Sequence, residues 1–136
     1  MGYMASGIEL EARRRATEGI GPRQQGRCQQ WVRQCVQAMA GDAYDSYWRG
    51  SALLTAQAFA AHPPPGCTVI PTSKVSRTRL GDILYCTEGH GGYGHVGIRV
   101  VGNRVAENSV VHSGPHGGIG FRALKDFDFD LIVRLT

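Results

Sequence analysis

The sequence has no apolar run that approaches the roughly 20 residues needed to cross a bilayer. Segment 1–20 also has no apolar core of the signal-peptide kind, so we expect any export to use another route. A dense basic stripe with interleaved aromatics is missing too, although the net charge is +4. We therefore expect no membrane span and no nucleic-acid partner.

The cysteines do not form a CxxC pair, which argues against a structural zinc site. Two disulfides are arithmetically allowed, but nothing in the sequence indicates an oxidising compartment. We expect no metal and no cofactor, with one alternative, a metal site built from Cys86, His90, His95 and Cys28. The four cysteines are Cys28, Cys35, Cys67 and Cys86.

A chain of 136 residues suits one domain over 1–136, with an N-terminal helix in 1–20 and a core in 24–136. Ser6 and Glu9 have the spacing of a capping box, and apolar residues then recur every four positions up to Gly19. A second helix is predicted to begin near Cys28 and to end at Gly41.

A third helix is predicted after Ser51, with Leu54, Ala58 and Ala61 on its face and a stop at the Pro63–Pro65 run. Short strands follow, separated by Gly, Asn or Pro. Helices before strands predict an α+β fold, with N-terminal helices packed on a small antiparallel sheet. The predicted strands are 69–70, 83–85, 96–101, 104–111, 119–122 and 131–135.

Cys28 has the position that favours an activated thiol. A thiol attacks amides as the thiolate, which the start of a helix and a nearby imidazole both stabilise. Cys28 opens the second helix, and Arg27 adds positive charge beside it. Cys35 lies two turns further along the same apolar face, so we expect it to be buried and inert. His95, at the start of a strand after a glycine-rich loop, is the candidate base.

Three segments resemble one family in order and spacing. Residues 26–32, Gly-Arg-Cys-Gln-Gln-Trp-Val, look like the nucleophile helix of the cysteine, histidine-dependent amidohydrolase/peptidase (CHAP) domain. Residues 80–84 resemble its Gly-Asp strand, and residues 94–98 resemble its Gly-His-Val strand. The last strand is also similar to that of the NlpC-type cell-wall peptidases, so the resemblance covers about residues 24 to 110.

The resemblance implies a papain-like fold and a hydrolase of peptide or amide bonds in peptidoglycan, either an endopeptidase or an N-acetylmuramoyl-L-alanine amidase. Cys28 matches the nucleophile and His95 the base. Such an enzyme would act on the cell wall after delivery by a phage or a secretion route. The alternative is a non-catalytic module of the same fold that binds the wall or takes part in virion assembly.

The third catalytic residue is either Glu107 or Asn108. A two-residue turn at Gly102-Asn103 would pair Gly97 with Asn108 and put Asn108 on the face of His95. The same register would turn Glu107 into the core and put Val105 with Val96, Ile98 and Val100. A three-residue turn would instead put Glu107 beside His95.

The resemblance favours Glu107, since the NlpC-type families place their third residue twelve positions after the histidine. Gln24 or Gln25 could donate a second oxyanion hydrogen bond, although their spacing matches no motif.

Overall fold

The structure is a computed structural model that describes residues 3–22, 27–109, 111–112 and 116–136. In this part of the chain three helices precede six strands. The strands form one antiparallel sheet in the order β1-β6-β2-β3-β4-β5, which confirms the predicted α+β class. The elements are α1 Tyr3–Glu18, α2 Cys28–Ala40, α3 Ala52–Ala61, β1 Thr68–Pro71, β2 Ile83–Cys86, β3 His95–Val100, β4 Arg104–Asn108, β5 Ile119–Ala123 and β6 Leu131–Arg134.

Two of the three predicted helix starts are confirmed. α2 begins at Cys28, and Ser51 caps α3 by accepting a hydrogen bond from the Leu54 amide at 3.2 Å. The capping box at Ser6 is wrong, because α1 already begins at Tyr3 and Ser6 lies inside it. Glu9 instead accepts a hydrogen bond from the side chain of Arg13 one turn later.

The predicted inner face of α3 is also wrong. Leu54 is 50% exposed, and the buried residues of this helix are Ala52, Thr55, Ala56 and Phe59. Phe59 decides the rotation of the helix, because its ring stacks on Tyr47 at 4.5 Å between centroids. A large aromatic side chain removes more apolar surface from water than several alanines do.

The sheet has two apolar faces. Helices α1, α2 and α3 cover one face, and the segment between β5 and β6 covers the other with Leu124, Phe127 and Phe129. The sheet residues under the helices include Ile83, Tyr85, Val96, Ile98, Val100, Ala106, Ile119, Leu131 and Val133. Those on the other face include Leu84, Cys86, Val105 and Ile132. Among the described residues, no helix is both long and apolar enough to span a membrane.

The β3–β4 hairpin has the three-residue loop. Ile98 pairs with Ala106 and Val100 with Arg104, so residues 101–103 form the connection. The two-residue turn is therefore wrong, and Val105 lies on the opposite face from Val96, Ile98 and Val100. Gly102 and Asn103 both adopt positive φ, at 81° and 52°, a conformation that these two residue types accept most readily.

The Gly81-Asp82 pair anchors α1 and β6 to the sheet. A Cβ at Gly81 would lie 2.1 Å from the carbonyl oxygen of Ala5 in α1, so only glycine permits this approach. Asp82 is fully buried, and it accepts two hydrogen bonds at 2.8 Å from the Arg134 guanidinium. A buried carboxylate of this kind needs such a paired donor to offset its lost hydration.

Candidate active site

The fold brings Cys28 and His95 to one cavity of about 610 Å³. Cys28 is the first residue of α2, and His95 is the first residue of β3, paired with Cys86 at the end of β2. His95 is only 5% exposed, whereas Cys28 is partly exposed at the cavity wall. A helix start and a strand start, far apart in sequence, thus meet at one point.

The start of α2 is electrostatically positive. Arg27 at the N-cap provides no side-chain hydrogen bond, and the first turn contains no acidic residue. The aligned peptide dipoles of the helix are therefore not offset by a carboxylate at this end. The sulfur of Cys28 sits where negative charge is stabilised.

His95 is held between a thiol and a carboxylate. Its Nε2 lies 2.6 Å from Oε1 of Glu107, which leaves Nδ1 for the thiol of Cys28. Burial lowers the pKa of His95, but the hydrogen bonds to Cys28 and Glu107 outweigh burial and raise the pKa to about 9. A protonated imidazole next to the sulfur favours the thiolate.

Glu107 is fully buried and receives hydrogen bonds from three side chains. Besides His95, Nε2 of His112 lies 2.9 Å from Oε2, and the Arg122 guanidinium donates at 2.7 and 3.2 Å. Burial raises the pKa of Glu107, but the bonds to His95 and Arg122 outweigh it and lower the pKa. The carboxylate is therefore ionised beside the ring that it orients.

Asn108 has another contact. Its Nδ2 donates to the carbonyl oxygen of Pro22 at 2.7 Å, because the three-residue loop puts Glu107 on the face of His95 and so leaves its neighbour Asn108 on the opposite face of β4. The hairpin register thus gives His95 the carboxylate, and Asn108 ties the chain before α2 to the sheet. Gln24 and Gln25, the candidate oxyanion donors, lie outside the described residues.

His90 covers the ring of His95. The two imidazoles stack with centroids 5.0 Å apart and planes 25° apart. Burial and the charge of His95 lower the pKa of His90, so a charged inner ring disfavours protonation of the outer one. Among the described residues no three His, Cys, Asp or Glu side chains are grouped to hold a metal ion, so the alternative metal site is not assembled.

The other cysteines differ from Cys28 in their surroundings. Cys35 is fully buried, and burial raises its pKa to about 12. Burial likewise raises the pKa of Cys86 to about 12. Cys67 lies apart from the cavity, near the hydroxyls of Tyr44 and Thr136. The thiol beside the imidazole is therefore also the one that faces the cavity.

Sequence reasoning missed Arg122 and His112 as partners of Glu107. Arg122 lies in a strand that the sequence predicts, but the pairing of Val105 with Arg122 depends on the register between β4 and β5. No local signal encodes that register. His112 follows β4 in a segment for which the sequence does not predict where the side chains point.

No protein-family model matches the sequence, and no curated protein matches it either. Among solved structures, the chain is similar to the crystal structure of Ly7917, with a TM-score of 0.60 and 18% sequence identity. The similarity covers 96% of this chain and 62% of that one. At this identity the likeness concerns the fold alone.

Proposed function

We propose that this protein is a cysteine hydrolase of peptide or amide bonds, with Cys28 as nucleophile, His95 as general base and acid, and Glu107 as the residue that orients His95. The observation that carries the proposal is the chain of contacts from a helix-start thiol through a buried imidazole to a buried carboxylate at 2.6 Å. Nucleophile, base and orienting group in this sequence are the parts that nucleophilic acyl transfer needs.

In the first half-reaction the Cys28 thiolate attacks the carbonyl carbon of the substrate amide. The backbone N–H of Cys28, at the positive end of α2, is placed to stabilise the oxyanion. Protonated His95 then gives its proton to the leaving nitrogen, the C–N bond breaks, and the acyl group remains on sulfur as a thioester. Glu107 stabilises the imidazolium throughout this step.

In the second half-reaction neutral His95 takes a proton from water, which attacks the thioester carbonyl. The C–S bond breaks and releases a carboxylic acid, and the thiolate–imidazolium pair is restored. Glu107 keeps the ring fixed with Nε2 toward itself and Nδ1 toward the sulfur. No oxidant, metal or cofactor enters this balance.

The proposed substrate is peptidoglycan, and the proposed fold is papain-like. Both rest on the resemblance of residues 26–32, 80–84 and 94–98 to the CHAP and NlpC-type families. The α+β architecture, with helices before an antiparallel sheet, is compatible with that fold. A net charge of +4 suits a polyanionic cell wall.

A zymogram with purified cell walls tests the proposal. We expect clearing by the wild type and none by Cys28→Ala or His95→Ala, while Cys35→Ala, which removes a buried thiol outside the cavity, retains activity. Near-normal clearing by both Cys28→Ala and His95→Ala would refute the mechanism. Mass spectrometry of the released fragments then distinguishes endopeptidase from amidase cleavage.

Thiol alkylation separates the enzyme from the non-catalytic wall-binding or assembly module. An activated Cys28 reacts with iodoacetamide below neutral pH much faster than Cys35 does. Slow and equal labelling of the two thiols would support the binding module.

A further inference from the structure

Ser109 lies directly after β4 and lines the same cavity as Cys28 and His95. Its Oγ accepts a hydrogen bond from the Arg122 guanidinium at 3.0 Å and another from the Val111 amide at 3.4 Å. A hydroxyl oxygen has two lone pairs and one hydrogen. With both lone pairs engaged, the Ser109 hydroxyl can only donate, and among the described residues its hydrogen has no acceptor.

Arg122 joins this hydroxyl to the buried carboxylate. Its Nε donates to Glu107 Oε2 at 2.7 Å, and one terminal nitrogen donates both to Glu107 Oε1 at 3.2 Å and to Ser109 Oγ at 3.0 Å. The guanidinium also lies over the ring of Phe127, 5.6 Å from its centroid. A planar guanidinium makes these contacts together, which a lysine ammonium does not reproduce.

Among the described residues that line the cavity there is no lysine, arginine, aspartate or glutamate. Ser109 lines this space beside Cys28 and His95, where a hydroxyl donor suits an uncharged acceptor such as the carbonyl oxygen of a peptide. A donor whose direction is fixed before binding loses little entropy when the acceptor arrives.

We propose that Ser109 binds a carbonyl oxygen of the peptide substrate, and that Arg122 is the positioning residue that directs this hydroxyl and holds Glu107 ionised for His95. This inference rests on the proposed amide hydrolase. It adds a substrate contact outside the Cys28, His95 and Glu107 set and a residue that couples this contact to the chemistry.

The charges around Glu107 predict the direction in which the pH dependence of Cys28 reactivity shifts when Arg122 is lost. The formal charges of the Cys28 thiolate, the His95 imidazolium, the Glu107 carboxylate and the Arg122 guanidinium sum to zero, and the imidazoles of His112 and His90 lie against Glu107 and His95. Without the guanidinium the first three groups carry one excess negative charge, and the burial of His95 and Glu107 then favours uptake of a proton at higher pH. The proton goes to the thiolate or to Glu107, and either event weakens the nucleophile at acid pH.

Alkylation of Cys28 by iodoacetamide as a function of pH tests Arg122 without any substrate. We expect Arg122→Gln to move the acid midpoint of the rate up by about one unit, a loss of about tenfold at acid pH. Arg122→Lys, which keeps the charge, should stay within about threefold of the wild type. The matched control is Arg104→Gln, since Arg104 lies on the adjacent strand and packs over Phe121 instead.

The kinetics of soluble peptidoglycan fragments test Ser109. Loss of one neutral hydrogen bond should raise KM about fivefold in Ser109→Ala with kcat within about twofold, and Ser109→Thr should restore KM. Arg122→Lys should show the same rise in KM, because the lysine does not hold the Ser109 hydroxyl. An unchanged KM in both Ser109→Ala and Arg122→Lys would overturn the substrate contact.

An acid midpoint that does not move in folded Arg122→Gln would overturn the positioning role. If Arg122→Gln does not fold, the role of Arg122 is judged from the KM values of Arg122→Lys and Ser109→Ala. A rise in both supports it, and no rise overturns it. Failure of the proposed function has a different signature, since the wild type would then leave the fragments uncleaved while the alkylation profiles of the Arg122 variants remain measurable.

Discussion

Glu107→Gln removes the negative charge beside His95 and keeps the size of the side chain. In the wild type, burial lowers the pKa of His95, and hydrogen bonds to Cys28 and Glu107 outweigh it and raise the pKa to about 9. The hydrogen bond that His95 donates to Glu107 is short, at 2.6 Å, and the carboxylate is fully buried. We therefore expect the substitution to lower the pKa of His95.

The size of the effect follows from the number of partners. The ordinary value for histidine is 6.5, and two side chains together bring His95 to about 9. Loss of the charged partner should lower the pKa by at least about one unit, or about tenfold in the imidazolium population at alkaline pH. The direction follows from the raised pKa of His95. The wild-type imidazole is protonated below pH 6.5 and loses its proton only as the pH rises through about 9, whereas a lower pKa in the variant releases that proton at lower pH.

Two measurements can detect the lower pKa of His95 in Glu107→Gln. NMR titration of the imidazole ring reports the pKa directly, with His95→Gln used to assign the resonance. The alkaline limit of amide hydrolysis should move down by the same amount, because only protonated His95 can donate to the leaving nitrogen. The matched control is Asn108→Ala, which removes the bond to Pro22 on the opposite face of β4 and should leave the ring titration unchanged.

A His95 resonance that titrates in Glu107→Gln as in the wild type would contradict the role of Glu107. A shift in Asn108→Ala without a shift in Glu107→Gln would contradict it equally. Circular dichroism of each variant ensures that the comparison is between folded proteins.

Three further predictions concern stability and thiol exposure. Gly81→Ala should lower the free energy of unfolding by about 3 kcal/mol in urea denaturation, since its Cβ would meet the Ala5 carbonyl at 2.1 Å with φ at 87°; a loss below about 0.5 kcal/mol would contradict the close approach. Asp82→Asn should cost about 3 kcal/mol because the Arg134 guanidinium loses its buried partner, and thermal unfolding checks this. Cys35 should be alkylated only in denaturant, so its labelling in the native state would contradict its full burial.

Local sequence signals were sufficient for most elements. The predicted start of α2 near Cys28 and the predicted cap of α3 at Ser51 both agree with the structure. These features depend on residues within one or two turns of each other, which is why sequence alone reveals them. The capping-box spacing predicted a helix start at Ser6, which is wrong because α1 begins earlier, at Tyr3.

Only the tertiary structure shows which residues of each helix and strand face the core. Leu54 fits an apolar helix face, yet Phe59 sets the rotation of α3 by packing on Tyr47. Val105 looked equivalent to its neighbours across the hairpin, yet it belongs to the other face of the sheet. Because both faces of this sheet are covered, alternation of apolar residues does not tell which side faces the helices.

The sequence by itself determined that Cys28 opens a helix, that His95 opens a strand, and that the fold is α+β, because each follows from short-range pattern and element order. Only the tertiary structure decided that Glu107 rather than Asn108 contacts His95. A difference of one residue in the 101–103 loop reverses which side chains of β4 share a face with His95. The same long-range register brings Arg122 to Glu107, and no neighbour in sequence determines it.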